Sequence, residues 1–236
     1  MKVLIGIINC HTRPEYQQII RNTWLPTVKG KVDVKFFLGQ SDRSPLEDEV
    51  FLDVDDSYQG LPQKVQAMVR WAFEHGYTHV MKLDDDCMVL VEEWLRSNFE
   101  LYDFVGGTVP TDPPEIMPVP YGFAYVLSRK AMEIVMQAQL PPDNNDERWV
   151  TIMLHERGIT LHSDQRYFMH MGVRVDPVRG PAHRPLRNFN RPTERQPMAG
   201  TFVLCIYLNW FGFHTTPLEV ILQEYQKVWE RTQLCH

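Results

Sequence analysis

The sequence predicts an α/β fold, a twisted and mostly parallel sheet covered by helices on both faces. Three observations carry this. KVLIGIIN (2–9) is a continuous apolar run, as expected of a strand buried on both sides. Strand-like and helix-like patterns then alternate with short connections over about the first 160 residues. Finally, THVMKL (78–83) is an apolar strand that ends directly in three aspartates, Asp84, Asp85 and Asp86. In such sheets ligands bind beyond the carboxyl ends of the strands.

After strand 2–9, RPEYQQIIRNTW reads as a helix with Pro14 near its start and Ile19, Ile20 and Trp24 on one face. VDVKFFLG (32–39) and EVFLDV (49–54) are the next strands. LPQKVQAMVRWAFEHG (61–76) places Val65, Met68, Val69, Ala72 and Phe73 at helical spacing, and Gly76 closes it. Strand 78–83, helix 91–101, strand 103–107, a proline-rich loop over 109–120, strand 123–128, and helices 129–139 and 146–157 follow. The segment 173–198 holds six arginines and five prolines and reads as a flap. GTFVLCIYLNWFGF then returns as a strand, and TPLEVILQEYQKVWERT closes the chain as an amphipathic helix. The whole reads as a single domain over 1–236, with a core at 1–160, a flap at 161–200 and a closing strand and helix at 201–236.

A length of 236 residues suffices for one good-sized core. The net charge of −6 gives no support to wholesale attraction to nucleic acid or an acidic membrane. The four cysteines, Cys10, Cys87, Cys205 and Cys235, are far apart, which fits neither a zinc site nor a disulfide framework and points to a reducing compartment. The N-terminal apolar run is too short to span a membrane. A soluble, cytoplasmic protein is the expectation.

If the extended conformation continues through the triplet, Asp84 and Asp86 project to one side and Asp85 to the other. Two such carboxylates form an oxygen-rich site for a hard divalent cation that also holds phosphate oxygens. The plain alternative is a solvated charge run where a strand meets water. Three adjacent carboxylates repel one another, and a cation relieves that repulsion.

The triplet resembles the Asp-x-Asp motif of nucleotide-sugar glycosyltransferases with the GT-A fold, and the wider pattern resembles the beta-1,3-galactosyltransferase and Fringe family. RPEYQQIIRNTW carries Ile20, Arg21, Thr23 and Trp24 in register with that family's first helix, with Arg13 nearby. FFLG (36–39) follows, then DSYQGLPQK through Asp56, Tyr58, Leu61 and Lys64. Lys82 with Asp84 to Asp86 comes next, and then GFAYVLS (122–128), in which Ala124 replaces a glycine. NNDERWVTIMLHERGI (144–159) matches the family's Glu-Asp-Val helix with the order reversed, so Asp146 and Glu147 both stand as candidate bases. Negative charge at a helix N-terminus is also stabilising in its own right.

The resemblance implies a metal-dependent, inverting transfer of a sugar from a nucleotide-sugar donor, with a UDP-sugar favoured, to an acceptor hydroxyl. Mn²⁺ or Mg²⁺ would be held by Asp84 and Asp86, with His170 and then His183 as a further ligand. Asn9, Arg13, Arg21, Lys64, Lys82, Asp84 and Asp85 would contact the nucleotide sugar, although Arg21 could equally form a structural ion pair. Trp149 would stack on a sugar or pack in the core, and Gly106, Gly107 and Tyr121 would line the acceptor side. The acceptor would be a glycan, a glycolipid or a protein. A hydroxymethylated base in viral DNA is the alternative, reached through the arginines of 174–195. A bacterial or viral relative fits the absence of an anchor. A non-catalytic sugar-nucleotide-binding module and a metal-dependent nucleotidyltransferase are the competing classes.

Overall fold

The computed structural model describes residues 1–28, 30–108, 117–171 and 203–207. A seven-stranded sheet forms its centre, in the spatial order β3-β2-β1-β4-β7-β6-β8. These strands are β1 Val3–Ile8, β2 Asp33–Leu38, β3 Glu49–Phe51, β4 His79–Asp84, β6 Phe104–Thr108, β7 Pro120–Ser128 and β8 His162–Ser163. A second sheet joins β5 (Cys87–Val89), β10 (Val203–Tyr207) and β9 (Tyr167–Met171). The expected α/β class is borne out, and four of the six neighbouring pairs in the large sheet are parallel.

The exception is β7, which runs antiparallel to both β4 and β6. The sequence between β6 and β7 reads as a short proline-rich loop, and a direct return between neighbouring strands reverses direction.

All six residues of β1 are buried, because the sheet is covered on both faces. Val3, Ile5 and Ile7 face one core with Tyr16, Ile20, Trp24, Phe36 and Trp94. Leu4 and Ile8 face the other, with Val65, Met68, Val69, Met132, Trp149 and Leu154. Helices α1 (Pro14–Asn22), α2 (Leu25–Val28) and α4 (Val91–Leu95) belong to the first side. Helices α3 (Leu61–Glu74), α5 (Arg129–Gln137) and α6 (Asp146–His155) belong to the second. Each fully buried large apolar side chain contributes about 2 kcal/mol. A Cβ on Gly6 would lie 2.4 Å from the Met68 sulfur, so the glycine makes room for the Met68 side chain of α3 against β1.

Helix ends follow the local chemistry. Gly76 takes φ +77° just past α3, as its C-terminal position in the pattern predicts. The Ser128 hydroxyl accepts from the Ala131 N–H to start α5, and the Asn145 side chain accepts from the Arg148 N–H to start α6. The predicted helix 91–101 is shorter than expected. It stops after Leu95, and Asn98 enters the left-handed region (φ 61°) before a single 3₁₀ turn over Phe99–Leu101. Strands β8 and β9 lie in 161–171, which the sequence reads as the start of a flap. Tyr167 is 1% exposed there, and Trp94 Nε1 donates to its hydroxyl. The arginine-rich remainder of the flap and the predicted closing helix lie outside the described residues.

Candidate active site

The aspartate triplet sits where the chain passes from one sheet to the other. Asp84 is the last residue of β4, Asp85 and Asp86 form a turn, and Cys87 opens β5. The extended path expected from the sequence therefore ends at Asp84, and the three carboxylates are dealt to different neighbours.

Asp85 turns inward and is 3% exposed. Asn9 Nδ2 donates to its Oδ2 at 2.7 Å, and the Arg13 guanidinium pairs with its Oδ1 at 3.0 Å. Burial pushes the Asp85 carboxyl up to about 7, against the pull of Arg13, and Asp86 adds to the rise. Arg13 stacks on the Tyr16 ring at 3.8 Å and keeps about a third of its side chain exposed.

Asn9 and Lys64 belong to the support of this cluster. Asn9 is 2% exposed and accepts from Gln17 Nε2 at 2.7 Å. Lys64, also buried, donates to the Asn9 carbonyl at 3.0 Å and to Asp56 Oδ1 at 2.6 Å. Asp56 in turn accepts from the main-chain N–H groups of Gly39 and His11. The loops after β1 and β2 are thereby tied to α3.

Asp84 lies on the opposite side of β4, beside α6. Lys82 shares that side, since the two are separated by one strand repeat. The Lys82 ammonium is enclosed, at 1% exposure, and donates to Asp84 Oδ1 at 2.6 Å and to the Gly122 carbonyl; Asp146 Oδ2 is 3.8 Å away. Burial alone would lower its pKa, but Asp146 and Asp84 hold it well above the usual lysine range. Asp146, at the first position of α6, is 1% exposed and accepts from the Tyr125 hydroxyl at 2.7 Å. Burial raises its carboxyl and Lys82 opposes the rise.

Glu147 follows Asp146 but is only partly buried. Burial first and the Asp146 charge second push its carboxyl up to about 7. A Cβ on Gly122 would lie 3.0 Å from the Glu147 carboxyl carbon, so the missing side chain makes room for that group. Tyr58, 71% exposed, stands within electrostatic range of Glu147, Asp84 and Asp146, and partial desolvation first and the Glu147 charge second raise its phenol.

The remaining predicted site residues separate. Arg21 makes a two-pronged ion pair with Asp48 at 2.7 and 2.8 Å and lies over Phe36, the structural pairing that the sequence offered as its alternative role. Trp149 is 4% exposed, packs in the core and donates to the Gln139 carbonyl at 2.8 Å, which is the core-packing role of the two that the sequence offered. Gly106 and Gly107 serve packing, since a Cβ on Gly107 would meet the Tyr167 carbonyl at 2.5 Å and one on Gly106 would meet Pro120 at 2.9 Å. Tyr121 is partly exposed and stacks on Phe123. His170 falls on β9 opposite Ile206, but its side chain lies outside the described residues, as does all of His183 and of 174–195.

Among the described residues, no three His, Cys, Asp or Glu side chains form a ready metal cluster. Asp84 and Asp86 are nevertheless of the donor type that a hard divalent cation takes. Both are partly exposed oxygen donors at a strand end, of the kind that completes its coordination with ligand phosphates and water. The missed residues are His11, Tyr125, Tyr58 and Gly122. Tyr58 and Gly122 stand inside quoted sequence motifs, but nothing local announced their contacts with residues 25 or more positions away.

Comparison with known structures places the fold. The chain superposes over 97% of its length on the crystal structure of galactosyltransferase LgtC in complex with donor and acceptor sugar analogs, covering 95% of that chain, with a TM-score of 0.50 and 10% identity. A nucleotide-diphospho-sugar transferase structure from Desulfovibrio desulfuricans G20 aligns over 98% of both chains with a TM-score of 0.46 and 10% identity. This is the GT-A class of fold. Residues 15–99 match the galactosyltransferase family model. No curated protein sequence matches it significantly. Among the described residues no helix is long and apolar enough to cross a membrane.

Proposed function

We propose that the protein is a metal-dependent, inverting glycosyltransferase that moves a sugar from a nucleotide-sugar donor to an acceptor hydroxyl, with Glu147 as the base. The observation that supports this most is the division of labour between the two α6 carboxylates. Asp146 is buried and engaged by Tyr125 and Lys82, whereas Glu147 is the more open one and has a carboxyl raised to about 7, close to working pH. The family match and the GT-A fold support the reaction class.

Asp84 and Asp86 would hold Mn²⁺ or Mg²⁺ against the donor diphosphate, and that cation would offset the charge on the departing nucleoside diphosphate. Arg13, fixed by Asp85 and still partly exposed, supplies a permanent positive charge to the same group. Glu147 takes the acceptor proton as the hydroxyl oxygen bonds to the anomeric carbon. The bond from that carbon to the phosphate oxygen breaks on the opposite face. One base and one displacement give inversion. Tyr58 offers an exposed ring beside the base for the incoming sugar.

A UDP-sugar donor, a glycan, glycolipid or protein acceptor and a cytoplasmic location complete the reading. The DNA-base alternative rests on residues 174–195, which lie outside the described residues. Slow release of free sugar from a radiolabelled nucleotide sugar tests the proposal. Wild type should release it with Mn²⁺, and Glu147→Gln should do so at least 100-fold more slowly while still binding donor. Intact donor with the wild-type protein would point to a binding module instead.

A further inference from the structure

We propose that His11 selects the nucleobase of the donor, favouring a base that presents a ring N–H, uracil or guanine, over cytosine and adenine. The inference deepens the nucleotide-sugar reading above and rests on it. It starts from the side of the sheet on which His11 stands. The residue follows β1 by three positions, Gly39 directly follows β2, and Phe51 ends β3, so all three lie at the carboxyl ends where α/β sheets receive ligands. Arg13, the cation assigned to the diphosphate, is two residues further on.

The imidazole is held from several directions. Its own main-chain N–H donates to Asp56 Oδ2 at 2.7 Å, and its ring meets Phe51 edge-on at 5.0 Å and 86°. Its Nε2 lies 3.0 Å from the Gly39 carbonyl oxygen. A carbonyl oxygen only accepts, so Nε2 carries the proton. In the neutral ring Nδ1 is then an acceptor, and no described residue donates to it. The half-buried ring therefore keeps one acceptor without a described donor, on a residue three positions past the carboxyl end of β1.

Uracil N3–H and guanine N1–H both donate to such an acceptor. Cytosine N3 and adenine N1 are acceptors themselves and would set lone pair against lone pair. A mismatch of this kind leaves two polar atoms unpaired and costs at least tenfold in affinity.

The test is the affinity of the full-length protein, with Mn²⁺, for UDP, GDP, CDP and ADP, for 3-methyluridine diphosphate and for 5-methyluridine diphosphate as a size control. The expected result is that UDP or GDP binds at least tenfold more tightly than CDP and ADP. The comparison of UDP with GDP shows which base the pocket admits. The 3-methyl nucleotide should fall to the level of CDP while the 5-methyl nucleotide does not. His11→Phe should bring all of them within about threefold of one another, and His11→Gln, whose amide oxygen still accepts, should keep part of the preference. Equal binding of all nucleotides to wild type, or a preference that survives in His11→Phe, would overturn the role of His11 and leave the donor reading standing. Binding of none of them would remove both.

Discussion

The ammonium of Lys82 lies 2.6 Å from Asp84 Oδ1 and 3.8 Å from Asp146 Oδ2, so a single buried cation spans the strand that ends in the triplet and the helix that carries Asp146 and Glu147. Three acceptors surround a side chain that is 1% exposed. Lys82→Met should leave Asp146 buried without a cationic partner and cost about 3–5 kcal/mol. Chemical denaturation of the variant checks this. A cost under about 1 kcal/mol would mean that the pair does not hold the two elements together.

Glu147 should govern the pH dependence of turnover. Its carboxyl is raised to about 7, and a base must be deprotonated, so donor turnover should rise with pH and level off above about 7. Glu147→Gln should lose about 10²–10⁴-fold in rate, with nucleotide affinity changed less than threefold. A rate profile that is flat between pH 5.5 and 8 would assign the proton to another group.

The same raised group makes a stability prediction of definite sign. A carboxyl raised in the folded state binds its proton more tightly there than in the unfolded chain. Its ionisation therefore lowers stability as pH rises from its ordinary range near 4.5 to about 7. Glu147→Gln should raise Tm by about 3 °C at pH 8 and leave it unchanged at pH 4.5. Thermal melts at the two pH values decide it, and a Tm lowered at pH 8 would contradict it.

Trp149 separates stability from sugar binding. It is buried among Val65, Met68 and Leu154 and hydrogen-bonded to Gln139. Trp149→Ala should destabilise by about 3–5 kcal/mol. The milder Trp149→Phe should leave donor and acceptor KM values unchanged. A tenfold rise in acceptor KM in Trp149→Phe would return this residue to the site.

The alternation of strands and helices and the two helical layers were legible because the buried face of each element repeats at its own period. Val3, Ile5 and Ile7 against Leu4 and Ile8 are a two-faced strand, and Val65, Met68, Val69 and Ala72 are one side of a helix. The antiparallel pairing of β7 with β4 and β6 was not read, because a mostly parallel pattern says nothing of which strand reverses. Other features depended on distant partners. Asp84 and Asp85 look alike in the sequence, yet one meets Lys82 and the other Arg13 and Asn9. Arg21 carries a family motif, but Asp48, 27 residues away, holds it in an ion pair. Trp149 faces the core because α6 packs on that side of the sheet, which its own neighbours in sequence do not determine.

The most direct test of the account is thermal stabilisation by UDP and a panel of UDP-sugars, with and without Mn²⁺, in wild type and Asp86→Ala. At 100 times Kd a ligand adds about 2.7 kcal/mol, which is a shift of about 5 °C or more for a chain of this size. The account predicts such a shift for wild type with Mn²⁺, and little without the metal or in Asp86→Ala. An equal shift in Asp86→Ala, or no metal-dependent shift with any nucleotide, would reduce the triplet to a charged turn between two sheets and contradict the proposed donor site.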